Sequence, residues 1–216
     1  MDRVRANLKF PNMPVKTSGH FEIHGLVPKR WPDLEKLFGK RGACGGCWCM
    51  FYRLPRAQWL KQKGPGNKRA FSAVVKSGQV PGLLAYAHGE PVGWCALAPR
   101  ECYSRLAASR NYKPLDAEPV WSITCFFVAR PYRRRGVTLA LLKEAVRFAG
   151  SRGARIIEGY PSEPKEGWPA VAYYHGFISS FRKAGFKEVA RRSPVSPILR
   201  RILNRRMRSG KSPKKS

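Results

Sequence analysis

Three arginines and a glycine, Arg133-Arg134-Arg135-Gly136, stand between a strongly apolar segment and an amphipathic one. Upstream, Trp121-Ser122-Ile123-Thr124-Cys125-Phe126-Phe127-Val128 is nearly continuously apolar, the pattern of a central strand covered on both faces. Downstream, Leu139, Leu142, Ala145, Val146 and Ala149 recur at i, i+3 and i+4 spacings, which predicts a helix over Thr138 to Ser151. Gly153 suits its stop. A strand that turns tightly into a helix presents the helix's first N–H groups, which have no partner inside the helix, at the positive end of its dipole. Gly136 lets backbone approach a ligand closely. The chemistry of such a turn is anion binding, and a pyrophosphate suits it. A strand-to-helix connection whose arginines are merely solvated reads the same way, because one glycine is not a fingerprint.

A second chemical cluster lies earlier. Arg41 to Arg53 holds three cysteines, three glycines and three aromatics in thirteen residues. Cys44, Cys47 and Cys49 could supply three thiolates to zinc, with His20 or His24 as the nearest fourth ligand. No second cysteine pair or histidine pair stands at finger spacing, so no metal is expected. Glycine-flanked Cys44 and Cys47 could also form a redox pair. The favoured reading is packing, or the lining of a substrate pocket by Cys47, Trp48 and Cys49. Cys95 and Cys125 sit in apolar runs and read as small buried hydrophobes.

These residues need elements to hold them. His20 to His24 alternates like a strand, and Pro28 to Phe38 has a helical face of Trp31, Leu34, Leu37 and Phe38. Pro55 to Lys63 and Asn67 to Lys76 read as helices parted by Gly64-Pro65-Gly66. Leu83 to Ala87 and Val92 to Leu97 flank His88-Gly89-Glu90-Pro91 as a hairpin. Glu101 to Ser109 reads as a short helix. Arg155 to Tyr160 is a strand, Phe177 to Ala184 a helix stopped by Gly185, and Phe186 to Ala190 a last strand. Strand, glycine turn, helix and strand over residues 120–160 make one βαβ unit. The chain then divides into a loose arm (1–18), one α/β domain (19–190) and a basic tail (191–216) expected to be disordered. The tail has ten Lys or Arg and no acid, and Pro197 to Met207 within it could form a basic helix on a partner.

Composition bounds the rest. With 43% hydrophobic and 12% aromatic residues in 216, the chain can bury a core and is not disordered throughout. A net charge of +29 attracts polyanions: nucleic acid, a ribosome or a phosphorylated cofactor. Met1 to Arg5 leads into no apolar signal region, and no apolar run approaches the length of a membrane span. The expected compartment is the cytoplasm, with reduced thiols. No zinc-finger spacing, RNP motif or helix-turn-helix is present. The oligomeric state is left open.

The segment Phe127 to Leu142, with Arg133 and Gly136 at its turn, resembles the cofactor motif of the GNAT acetyltransferases. Phe181-Arg182-Lys183-Ala184-Gly185-Phe186-Lys187-Glu188-Val189 resembles the family's closing helix, Gly-Phe pair and strand, and the likeness spans roughly residues 80–190. A Gly-Gly-Cys-Trp-Cys segment like that of residues 45–49 also occurs in a branch of GNAT-like proteins. The resemblance implies a mixed, mainly antiparallel sheet flanked by helices, with a splayed parallel pair at the cofactor site. It implies acetyl-CoA lying against Phe126, Phe127 and Val128, its pyrophosphate held by the turn Arg133, Arg134, Arg135, Gly136, Val137, Thr138 and Leu139. Thr138 stands where the family usually has Gly or Ala, which narrows that room. The implied reaction is direct attack of an amine, from a small molecule, a peptide N-terminus or a lysine, on the thioester.

Many family members place a tyrosine acid four residues before the Gly of the Gly-Phe pair. Phe181 stands there in this chain. Tyr173, Tyr174 and His175, and Glu158 and Tyr160, are the remaining candidates for proton transfer. Loss of that tyrosine keeps open a CoA-binding fold without catalysis, and the basic tail keeps open a nucleic-acid or ribosome-binding protein.

Overall fold

In the computed structural model, which describes residues 21–203, the apolar run around Ile123 becomes the middle strand of a seven-stranded sheet. The strands are β1 (Glu22–Gly25), β2 (Gly82–Ala87), β3 (Glu90–Pro99), β4 (Val120–Val128), β5 (Ile156–Gly159), β6 (Lys187–Ala190) and β7 (Ile198–Ile202). They lie in the order β1-β2-β3-β4-β5-β7-β6. Only β4 and β5 pair in parallel; every other named neighbour is antiparallel. This is the mixed, mainly antiparallel sheet expected.

Alternation along the strands divides the core between two faces. Leu83, Ala85, Cys95, Leu97 and Ile123 face α5 (Val137–Ser151) and α6 (Ile178–Lys183), which contribute Leu141, Leu142, Ala145 and Phe181. Leu84, Tyr86, Trp94 and Ala96 face α1 (Trp31–Phe38) and α3 (Pro65–Lys76), with Phe38, Phe71 and Val75. The close approach of α5 to β3 requires Gly93. A Cβ there would lie 2.5 Å from Val137 Cγ1.

β4 and β5 stay paired only from Val120↔Ile156 to Ile123↔Gly159. Beyond Gly159 the chain leaves, while β4 runs on to Val128 against β3 alone. The β3–β4 register slips at the same level, from Ala96↔Cys125 to Leu97↔Ile123. Thr124 is thereby left over as a bulge, which adds bend and twist to the strand. The parallel pair is therefore open from Thr124 onward, as a splayed pair should be.

Several elements differ from the sequence reading. The hairpin turn is only His88-Gly89, because β3 already begins at Glu90. Pro65 and Gly66 lie inside α3, Pro65 taking a first-turn position where no N–H partner is lost; α2 is Arg56–Lys61. The expected helix from Glu101 is a 3-10 turn (Arg100–Cys102) followed by the single turn α4 (Ser104–Ala107).

The largest correction concerns the tail. Ile198–Ile202 is not disordered and not helical: it is β7, inserted between β5 and β6. Ile198 and Leu199 are fully buried. The charges that give the segment a solvated look are satisfied inside the fold. Arg200 pairs with Glu158 and Asp116, and Arg201 donates to the Ala184 carbonyl. The domain thus continues at least to Leu203. The loose arm (1–18), His20 and residues 204–216 lie outside the described residues.

Candidate active site

The turn that leaves β4 is bent by two left-handed residues, Arg134 at φ 61° and Gly136 at φ 84°. A non-glycine residue there costs about 1 kcal/mol or more, so Arg134 stores strain beside the helix start. Gly136 is the N-cap of α5, and no side chain caps the helix. A Cβ built on Gly136 meets nothing within 4 Å. The backbone there faces open space, with the helix N–H groups undisguised.

Arg130, Arg133, Arg134 and Arg135 are exposed, and none pairs with a carboxylate among the described residues. Arg133 turns back, its Nε donating to the Val128 carbonyl at 3.2 Å. Val137 is buried against β3, whereas Thr138 and Leu139 are half-buried at the helix start.

The adjoining gap is bordered by β4. The N–H of Ala129 points to β3, donating to Val92, so alternation sets the backbone of Phe126 and Val128 toward the gap and that of Phe127 toward β3. The Phe127 ring packs on Phe38 on the far face. Phe127 therefore cannot offer its backbone to a ligand in the gap, contrary to the expectation. The Phe126 N–H donates to the Tyr174 carbonyl at 2.6 Å. This contact draws the loop after β5 alongside the open end of β4.

That loop brings two of the candidates for proton chemistry together and adds a third that the sequence does not reveal. His175 Nε2 lies 2.8 Å from the Tyr52 hydroxyl, and the Tyr52 and Tyr174 hydroxyls are 3.2 Å apart. Burial lowers the His175 pKa to about 3, opposed by the Tyr160 backbone, which favours the protonated ring. A neutral ring with its N–H toward Tyr160 leaves Nε2 as acceptor, which assigns the chain Tyr174 O–H to Tyr52 O–H to His175 Nε2. Burial pushes the Tyr174 phenol up to about 12, and pushes Tyr52 higher still. With so low a pKa, His175 is no general base near neutrality; its role is to accept a hydrogen bond.

Glu158 and Tyr160 belong to a different structure. Glu158 is 1% exposed, and its two oxygens accept from Arg100 at 2.6 Å and Arg200 at 2.7 Å. Tyr160 donates to Glu158 at 2.8 Å and lies 2.9 Å from Ser122 Oγ. Its phenol is pushed up by burial first and by the Glu158 charge second. The network ties β4, β5, β7 and Arg100 together behind the site. With both oxygens engaged, the Glu158 carboxylate is not free to take a substrate proton, which corrects its candidacy and that of Tyr160. Tyr173 turns away, bonded to the Lys165 backbone. Phe181 packs on Phe126 and Phe186, and a Cβ on Gly159 would collide with its ring. It is core, and no hydroxyl reaches the gap from there.

The cysteine segment is a chain of turns with Ala43, Trp48 and Cys49 at positive φ. Trp48 is 4% exposed, stacked on Trp31 with Phe38 tilted against it, and Gly42 leaves room for its indole. Cys49 accepts from the Trp94 indole at 3.0 Å and neighbours Cys125. Burial raises Cys47 to about 11, and the hydrogen bond with Cys125, followed by burial, raises Cys49 well above a free thiol. Trp48 is thus core rather than pocket, and neither Cys47 nor Cys49 is among the residues that line the cleft beside Tyr52. Among the described residues no group of three His, Cys, Asp or Glu side chains is arranged to hold a metal.

The lining falls slightly later, at Phe51 and Tyr52. Together with Arg105, Ala108, Ser109, Tyr112 and Tyr174 they line a half-open cavity of about 370 Å³. Arg105, Tyr112 and Tyr52 carry no periodicity or spacing that marks them in the sequence.

The sheet thus opens on a parallel pair beside an uncapped helix start and a hydroxyl-lined cleft. The model of the acetyltransferase (GNAT) family matches residues 48–177, more than half of the chain, and the chain belongs to that family. No curated protein matches it.

Among solved structures it is similar to a GNAT-family acetyltransferase of Listeria monocytogenes 4b F2365, with 10% identity, 88% of this chain and 99% of that chain covered, and a TM-score of 0.53. A GNAT-family acetyltransferase of Streptococcus pneumoniae has 12% identity, coverage of 86% and 100%, and a TM-score of 0.50. These two likenesses show the shared fold. The PaiA N-acetyltransferase of Thermoplasma acidophilum, in complex with coenzyme A, has 14% identity, coverage of 85% and 99%, and a TM-score of 0.48. No helix among the described residues is long and apolar enough to cross a membrane.

Proposed function

We propose that the protein is an N-acetyltransferase that passes acetyl from acetyl-CoA to an amine by direct attack. The observation that carries this reading is the unpaired gap beyond Ile123↔Gly159, opening beside the uncapped start of α5 in a chain of an acetyltransferase family. Acetyl-CoA, when bound, supplies the activated thioester. The open space at Gly136 and the unpaired arginines of the turn fit its phosphates. Arg134, Arg135, Gly136, Val137, Thr138 and Leu139 would hold the pyrophosphate through backbone N–H groups. Arg133 braces the turn against Val128, and Phe126 and Val128 border the pantetheine arm.

Tyr174 takes the acid role that Phe181 cannot. With its pKa pushed up to about 12, its hydroxyl is protonated at neutral pH, and by turning its O–H from Tyr52, 3.2 Å away, it can donate to a departing thiolate. Tyr52 stays in place through its own donation to His175. Among the described residues no Asp or Glu lines the cavity, so the proton of the attacking amine leaves to water, and water returns a proton to the Tyr174 phenolate. A cytoplasmic setting is supported by the six free thiols.

The test is incubation with acetyl-CoA and a panel of primary amines, read by mass spectrometry for N-acetyl product and by thiol reagent for free CoA. The reading requires both in equal amount. Free CoA without any acetylated amine, across the panel, contradicts it.

A further inference from the structure

The cavity lined by Tyr52 and Tyr174 is built for more than a bare amine, provided that the chain is the acetyltransferase proposed. Amines are cations in water, and a site that selects them by charge alone would offer a carboxylate. Among the described residues none lines this cavity, and Arg105 is its only charged lining residue.

Arg105 is held in place. Its backbone N–H donates to the Tyr52 carbonyl at 3.1 Å, and its Nη1 donates to the Phe51 carbonyl at 3.0 Å. Its guanidinium stacks 3.8 Å from the centre of the Phe51 ring. These contacts fix the plane of the group and leave the edge formed by Nε and Nη2 without a partner among the described residues. No described carboxylate approaches Arg105 within 4.0 Å. That edge is the fork that receives the two oxygens of a carboxylate side by side. The remaining walls are the rings of Phe51, Tyr52, Tyr112 and Tyr174, with the Ser109 hydroxyl beside them. Flat apolar faces of this kind take a ring or a planar chain, and about 370 Å³ is the lower range for a small-molecule site.

We propose that the amine acceptor is a small, flat-bodied amino acid in the chemical sense: an amine at one end, facing Tyr174, and a carboxylate at the other, seated on Arg105. A single guanidinium with two open donors suits a carboxylate better than a doubly charged phosphate, which would call for a second cation. Polycationic acceptors are disfavoured by the same charge.

The experiment compares para-(aminomethyl)benzoate with para-(aminomethyl)benzamide, matched in shape and amine. Binding to the protein saturated with CoA is measured by calorimetry, and acetyl transfer by initial rates. The acid should bind at least about ten-fold more tightly than the amide, the scale of a charge-assisted pair, with the difference in KM rather than kcat. R105Q should bring the acid-to-amide ratio close to one, and R105K should fall between. Circular dichroism and acetyl-CoA affinity establish that each variant is folded.

Equal binding of acid and amide to the wild type, or a ratio unmoved by R105Q, would overturn the proposal. Selective binding of the acid without transfer of acetyl to either compound would keep the carboxylate seat and reject the acetyltransferase reading, so the two fail separately.

Discussion

The two sides of the site are built in opposite ways. The donor side is one continuous stretch: β4, the arginine turn and the first turn of α5 follow each other within residues 120–140. The acceptor side is gathered from Phe51 and Tyr52, from Arg105 to Tyr112 and from Tyr174 and His175. Its central contact, Tyr52 to His175, spans 123 residues. In the proposed reading the donor side relies on backbone, where helix N–H groups and a left-handed glycine would bind phosphate whatever the neighbouring side chains are. The acceptor side relies on side-chain hydroxyls and one guanidinium. A backbone device tolerates sequence drift, and a side-chain device sets specificity.

The first way to break this comparison is at the support both sides share. β7 lies between β5 and β6, and its Arg200 closes the Glu158 network behind the gap. Ser196, just before it, meets the Tyr112 hydroxyl at 2.6 Å. Removal of residues 191–216 should therefore abolish folding, seen as loss of a cooperative melting transition. Removal of residues 204–216 alone should keep acetyl-CoA binding, and is the variant with which salt-dependent nucleic-acid binding by the tail should be compared.

A smaller effect separates acid from scaffold. Tyr174→Phe should lower kcat by about 100-fold, the lower range for loss of a general acid, with little change in acetyl-CoA affinity. Tyr52→Phe should lower kcat by about ten-fold, because it only orients Tyr174. Steady-state kinetics decide the ranking, and equal losses in both variants would make the pair a unit rather than acid and support.

A further effect is in stability. His175 is lowered to about 3 from 6.5 by burial, so the unfolded chain binds a proton that the native chain refuses between those values. The stability this neutral ring allows is complete above about pH 6.5 and is lost as pH falls toward 3, at about 1.4 kcal/mol per unit. Urea denaturation from pH 7 to pH 5 should show that slope in the wild type and a flatter one in His175→Asn.

The same contrast explains what is legible in the sequence. The turn at Arg133 to Gly136 can be read because strand period, glycine and helix period adjoin in one window. Trp48 reads as pocket lining because nothing in the sequence shows that Gly42 admits its indole into the core. Glu158 reads as a candidate for proton transfer because its arginine partners lie 58 and 42 residues away. β7 is hidden by its own charges: Arg200 and Arg201 read as solvated until the acceptors that receive them are in view. Tyr52, Tyr112 and Arg105 have no local signature, since a tyrosine in a loop and an arginine on one helical turn are ordinary on any surface.

The central claim is that Gly136 and the start of α5 bind the phosphates of acetyl-CoA. Calorimetric titration with acetyl-CoA should be made on the wild type, Gly136→Ala and Gly136→Glu. Alanine introduces the left-handed strain alone and should weaken binding by about ten-fold or less. Glutamate adds negative charge at the phosphate and should weaken it by about 100-fold or more, about 2.7 kcal/mol. A wild type that is folded yet binds no acetyl-CoA, or a Gly136→Glu variant that binds it as the wild type does, would contradict the account.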